Sequence, residues 1–327
     1  MASLVLAVMP QQKAAVDGSA WEKAKEGLLV VEHLGVATGV AALIDQQGLL
    51  LVHRSALRTG PMSVRMHDGT ILSASVVGQD EVTQTAVLQI VPIFAGTKAL
   101  GVAMGSAQGE RILAATAAGP VFGQIAATNR VGQMRPSLRY LPLSEVWLES
   151  GSATLAPAVL VNERGEIVGL LGASLAEESP ASALLEGANQ AGARSNADYG
   201  PGTLQVSYAV GPKVMKRVVD GFRSPSRVVK HPTVGVLFRM SPGAGGVILE
   251  TVMDGSTAQV AGLRPGDRVV SVDGKAISDS VQLAIALFEA SPGDTVTIIY
   301  ERDGQNRTAK VLVSGQELVL TSRTSHL

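Results

Sequence analysis

The sequence predicts a mainly β chain in two parts: an all-β barrel or sandwich, then a smaller α+β domain. Three observations carry this. Short apolar runs recur between turn residues from Leu28 onwards, with no helical pattern between them. The 36 glycines sit largely in those turns. Hydrophobic residues make up 46% of the chain but aromatics only 3%, so a large core is feasible and must be aliphatic.

The elements follow in order. Residues 1–27 read as an N-terminal arm, polar and Ala-rich over 10–27, with one short helix around residues 19–26. Leu28–His33 is the first strand. Residues 38–45 and 49–53 flank the turn Gln46-Gln47-Gly48, and residues 63–66 and 71–77 flank Asp68-Gly69, a hairpin signal. Further strands are expected at 85–91, 111–117, 123–130, 158–162 and 167–173, the last two joined by a turn at Glu163-Arg164-Gly165-Glu166. Residues 174–203 are rich in Ala, Ser, Gly, Asn and Glu and read as a long mobile loop. A strand at 204–210 then precedes a helix at 213–222. Pro212 suits the first turn of that helix, and Val214, Met215, Val218 and Val219 form its apolar stripe.

A basic linker, 223–231, separates this domain (28–222) from the second (232–316), and 317–327 is a tail. The second domain opens with strands at 233–238 and 247–252. Ser256 is placed to cap a short helix that Gly262 ends. Asp273-Gly274 closes a tight turn after a buried strand. Residues 280–290 form an amphipathic helix, with Val281, Ala284, Ile285 and Phe288 at helical spacing, and a final hairpin turns at Asp303-Gly304.

Composition excludes several classes. Net charge is −1 without a run of like charge, so nothing points to nucleic acid or a basic membrane face. The absence of Cys removes disulfides, zinc–thiolate sites and a Cys nucleophile. The histidines show no metal-ligand spacing, and no phosphate loop or dinucleotide fingerprint occurs, so neither metal nor cofactor is expected. No apolar stretch approaches the ~20 residues that span a bilayer. The apolar run Leu4–Met9 is compatible with the stub of a signal or anchor, or with a frayed terminus.

In the second domain, Ala258, Ala261-Gly262-Leu263, Gly266-Asp267, Val272-Asp273-Gly274 and Pro292-Gly293-Asp294 stand in a specific order. This string resembles a PDZ domain of the HtrA/Deg type. The resemblance implies that a peptide C-terminus adds as a strand beside the long helix, its carboxylate held by successive backbone N–H groups at Thr233, Val234, Gly235 and Val236. A plainer reading keeps Val234 and Val236 as core strand residues.

The first domain resembles the protease part of the same family. The match runs through Thr38-Gly39-Val40-Ala41, Asp45 and Gly48-Leu49-Leu50-Leu51, then Asp68-Gly69 and Val76-Val77-Gly78-Gln79-Asp80, then Thr83-Gln84-Thr85-Ala86. It ends in Val159-Leu160-Val161-Asn162 and Gly165-Glu166-Ile167-Val168-Gly169. The implied fold is a trypsin-like double β-barrel, followed by the PDZ domain.

The chemistry does not follow the fold. Where the family places its His, Asp and Ser, this chain has Ser55, Gln84 and Ala156. Ser55 is no base near neutral pH, Gln84 cannot stabilise an imidazolium, and Ala156 has no nucleophilic oxygen. Thr154, Pro157 and Ala158 replace the glycines of the oxyanion turn, and Pro157 pushes Ala156 towards extended conformations. The expectation is a catalytically inactive HtrA-like pseudoprotease. Its expected partners are protein C-termini, unfolded polypeptides or an active HtrA relative; by resemblance it forms a homo-oligomer, a trimer, outside the cytoplasm.

The rival expectation is an active endopeptidase with a displaced triad of His53, Asp80 and Ser150 or Ser152. That requires three independent displacements that converge on hydrogen-bond geometry. The plainer readings make His53 a half-exposed strand end, Asp80 a turn residue and Ser150-Gly151-Ser152 loop.

Overall fold

The computed structural model describes residues 18–91, 97–134, 139–149, 157–172, 204–238 and 245–316. The expected mobile loop at 174–203 lies outside them. A short helix α1 (Ser19–Ala24) and a single 3-10 turn lead into two closed six-stranded barrels.

The first barrel contains β1 (Leu28–His33), β2 (Val36–Leu43), β3 (Leu49–His53), β4 (Met62–Arg65), β5 (Ile71–Asp80) and β6 (Thr85–Ile90), closed in the order β1-β2-β3-β6-β5-β4. The second contains β7 (Arg111–Thr116), β8 (Gly119–Met134), β9 (Arg139–Glu149), β10 (Ala158–Asn162), β11 (Ile167–Leu171) and β12 (Leu204–Val210), closed in the order β10-β11-β12-β9-β8-β7. Closure settles the barrel-or-sandwich alternative.

Unbroken apolar runs become strands here because both faces are covered. Leu50 and Val52 of β3 point into the first barrel, while Leu49 and Leu51 join a core between the barrels. In β10, Leu160 fills the second barrel while Val159 and Val161 face the shared core. Period-2 alternation therefore appears in which core a residue enters, not in polarity.

Helix α2 (Pro212–Arg223) lays Val214, Met215, Val218, Val219 and Phe222 onto that shared core, with Pro212 in its first turn. Its last Arg, Arg223, donates from Nη2 to the Ile44 carbonyl. Two expectations need correction. Residues 139–149 form a strand where the sequence showed no clear signal, and β8 is longer than the expected 123–130.

The C-terminal domain starts with β13 (His231–Thr233), paired to β20 (Ser314–Gln316). Its main sheet holds β14 (Val236–Phe238), β15 (Val247–Val252), β16 (Arg268–Val272), β17 (Lys275–Ala276), β18 (Thr295–Arg302) and β19 (Gln305–Leu312). The single strand expected at 233–238 is broken by Gly235 at φ +77°, a region that costs any residue with a Cβ. Two helices complete the domain. In α3 (Thr257–Val260) the Ser256 hydroxyl accepts from the Gln259 N–H, 3.2 Å, as expected of a cap. In α4 (Ser280–Glu289) Asp279 caps the first turn, accepting from the Gln282 N–H at 2.9 Å. Asp267, buried just before β16, is gripped by Arg302 through Nε at 2.6 Å and Nη2 at 2.8 Å.

Among the described residues no helix is long and apolar enough to cross a membrane.

Candidate functional site: the cleft between the barrels and the C-terminal groove

Strand β3 ends at His53, whose ring caps the 3-10 turn Arg54–Ala56. The Ser55 N–H donates to His53 Nδ1 at 3.2 Å, and the Ser55 hydroxyl lies 2.8 Å from the same nitrogen. Because Nδ1 accepts a backbone N–H, the ring proton belongs on Nε2. Nε2 is buried without a partner among the described residues. The next residue ties this turn to the other half of the cleft: the Arg54 N–H donates to the Gln84 carbonyl at 2.8 Å. Gln84 adopts φ +54° and spends its side-chain amide on the Glu81 carbonyl, 2.6 Å.

The second barrel meets this turn at Gly39. A Cβ there would lie 2.8 Å from Pro157 Cγ and 2.9 Å from Ala56 Cβ, so Gly39 is the space into which Pro157 and Ala56 converge. The segments carrying Ser55, Gln84 and Pro157 thus meet around Gly39 and the Arg54–Ala56 turn. Ala156, Ser150 and Ser152 lie outside the described residues.

His53 is not half-exposed; it is 1% exposed and wedged against the second barrel. A Cβ on Gly172 would fall 1.9 Å from His53 Cε1, so the imidazole occupies the place of a side chain at the end of β11. Burial, aided by the neighbouring Arg54 charge, lowers the His53 pKa to about 4. The ring is therefore neutral near pH 7 and a weak base.

Asp80 is not a turn residue; it ends β5 and is buried. His53 and Asp80 both pair with Thr85, from opposite sides of β6, which sets them two strand spacings apart, about 9–10 Å in backbone. The Asp80 carboxylate is fully engaged elsewhere. It accepts from the Val82 N–H (3.3 Å), the Thr83 N–H (3.2 Å), the Thr83 hydroxyl and His231 Nε2 (2.9 Å). Burial pushes this carboxyl up, but the His231 and Thr83 interactions outweigh it and hold the group below the usual carboxylate range. The His–Asp arm of a displaced triad is not assembled. No local motif announces His231 as the partner, since 151 positions separate the two residues.

At the C-terminal domain, Thr233 closes β13 and Val236 opens β14, with Val234 and Gly235 looping between. Val234 is 4% exposed and belongs to the domain core; Val236 packs partly against it. The loop is pinned through its carbonyls: Val234 accepts from the Ala258 N–H at 3.0 Å and Gly235 from the Met253 N–H at 2.8 Å. The Gly235 N–H donates to Thr233 Oγ1 at 3.2 Å. A Cβ on Gly235 would meet Ser256 Cβ at 2.3 Å, so only Gly lets the loop sit on α3. Leu237, next along β14, remains 39% exposed.

A PDZ domain family model matches residues 232–313. The chain is 28% identical over 289 residues to the "Serine protease Do-like HtrA" of Lactococcus lactis subsp. lactis (strain IL1403), covering 77% of this chain and 64% of that protein. It is 24% identical over 323 residues to a "Probable periplasmic serine endoprotease DegP-like" of Pseudomonas fulva (strain 12-X), covering 93% of this chain and 59% of the relative. The chain therefore spans less than two thirds of the length of these relatives. The solved structure of the HtrA-type protease AlgW with a decapeptide superposes with a TM-score of 0.62 at 17% identity, over 92% of this chain and 99% of that one. At that identity the superposition speaks for the fold alone. The two barrels and the PDZ match give a trypsin-like domain followed by a PDZ domain, and over most of its length the chain is similar to HtrA/Deg proteases.

Proposed function

We propose that this chain is a catalytically inactive HtrA-like protein that binds protein C-termini or unfolded polypeptides through its PDZ domain. One observation carries the proposal: in the cleft where a triad would assemble, His53 is the imidazole at hand, and it is spent as a wedge and a cap. It is buried on Gly172, holds the Ser55 turn through Nδ1, has a pKa lowered to about 4 and lies two strands from Asp80. A general base needs a pKa near the working pH and an orienting partner. Val236–Phe238 and α4 form the walls of the peptide groove in this reading, with the Thr233–Val236 loop receiving the carboxylate. An extracytoplasmic location and assembly into a trimer, alone or with an active relative, complete it.

A second reading rests on a specific contact. The Ser55 hydroxyl is 2.8 Å from His53 Nδ1, a nucleophile–base distance, and the relatives are named serine proteases. The test that separates the two is cleavage of unfolded casein, with and without a hydrophobic C-terminal peptide, by the parent and by His53→Ala, Ser55→Ala and Ser152→Ala variants. The scaffold reading expects no turnover above a mock preparation, with saturable anisotropy of a fluorescent C-terminal peptide. Turnover by the parent that His53→Ala abolishes would overturn it.

A further inference from the structure

The Asp80–His231 pair joins two domains, and it is not isolated. His231 is the first residue of β13 and is 0% exposed. Its ring stacks on Phe288 of α4, with centroids 5.6 Å apart and planes at 27°. Phe288 belongs to the PDZ sequence, yet its side chain packs in the core shared by the barrels and α2, not in the core of its own domain. From α2, Arg217 places its guanidinium 4.9 Å from the Phe288 ring centroid. Its Nη1 donates to the Phe288 carbonyl at 2.9 Å and the Ala290 carbonyl at 3.2 Å, taking up the free carbonyls at the end of α4. Burial lowers the Arg217 pKa to about 10, against the support of Asp80 and Glu289, so the group stays charged. Lys213 adds an ion pair to Glu289 at 2.6 Å.

We propose that Asp80, His231, Phe288 and Arg217 form a latch that locks the PDZ domain onto the first barrel and α2. The physical reason is that each partner is expensive to leave alone. Undocking would take from Asp80 the imidazole that offsets its burial, return Phe288 to water and uncover the end of α4. Removing one partner of a buried hydrogen-bonded carboxylate costs more than the hydrogen bond itself contributes. The domain is thus held in one orientation or released, with little in between. Helix α4, a wall of the groove, is carried by the barrels at its C-terminal end.

The chain has no cysteine, which makes the test clean. Spin labels are attached at Ser73→Cys on the first barrel and Asn306→Cys on the PDZ domain, both exposed positions, and the interlabel distance is measured by pulsed electron resonance in the full chain. The latch expects one narrow distance distribution in the labelled parent. His231→Ala and Arg217→Leu are each expected to broaden it about twofold or add a second population. Both act outside the first barrel, so they remain informative should Asp80→Ala fail to fold; circular dichroism confirms that the strands persist. A broad distribution in the parent, or an unchanged narrow one in both variants, overturns the proposal. The readout is domain geometry, so it stands or falls separately from peptide binding.

Discussion

His53 shows how burial sets the ionisation of one side chain. Its depressed pKa makes the folded state bind fewer protons than the unfolded state between the unfolded value, 6.5, and about 4. Stability is therefore fully present above pH 6.5 and falls as the pH drops through that window. The shift corresponds to roughly 3 kcal/mol at 1.36 kcal/mol per unit. Urea unfolding followed by circular dichroism at stepped pH is expected to show this slope, and His53→Asn to flatten it. Asp80 acts in a lower window: its contribution is present above the usual carboxylate range and disappears as acid protonates it in the fold. Gly172→Ala is expected to cost about 1–3 kcal/mol, because the new methyl meets the imidazole and overpacks the wedge. His53→Ala in the same chain should recover most of that loss, which a double-mutant cycle reads directly.

At the scale of elements, strands were legible where turns and unbroken aliphatic runs coincide. Residues 28–33, 49–53, 158–162, 204–210 and 247–252 are strands over the expected bounds. Strand β9 was hidden because Pro142 and Glu145 interrupt its apolar run. Pro142 pairs with Val131 on β8, while Glu145 is satisfied by Arg130 at 2.8 Å and by the Trp147 indole N–H at 2.9 Å. A strand signal weakened by Pro and a carboxylate is restored only by partners distant in sequence. The loop at Gly235 gives a prediction of its own. Gly235→Ala places a methyl on Ser256 at φ +77° and is expected to weaken binding of a C-terminal peptide about tenfold or more, measured by anisotropy. The clasp on Asp267 gives another: Asp267→Ala leaves Arg302 without its buried partner and is expected to destabilise the PDZ domain by about 3 kcal/mol in denaturant titration.

For the whole molecule, the Phe288 side chain crosses the boundary between the two domains. An excised domain of residues 228–316 keeps its own core but strips Phe288 of its barrel contacts. It is expected to fold and to bind a hydrophobic dye such as anilinonaphthalene sulfonate. Phe288→Ser should abolish the dye signal while moving the melting temperature of the excised domain by less than about 4 °C, the equivalent of under 1 kcal/mol for a domain of this size. A larger loss would show that Phe288 supports the PDZ core itself.

The sequence alone determined the β-rich two-part architecture, the aliphatic core, the caps and turns and the PDZ resemblance. These depend on local pattern or on residue identity, which the chain carries wherever it folds. Only the tertiary structure decided that the barrels close, that His53 is a buried wedge rather than a half-exposed strand end, and that Asp80 belongs to His231 rather than to the cleft. Those outcomes depend on which distant side chains reach a buried polar group first. Burial makes the choice of partner decisive, and no spacing along the chain encodes it.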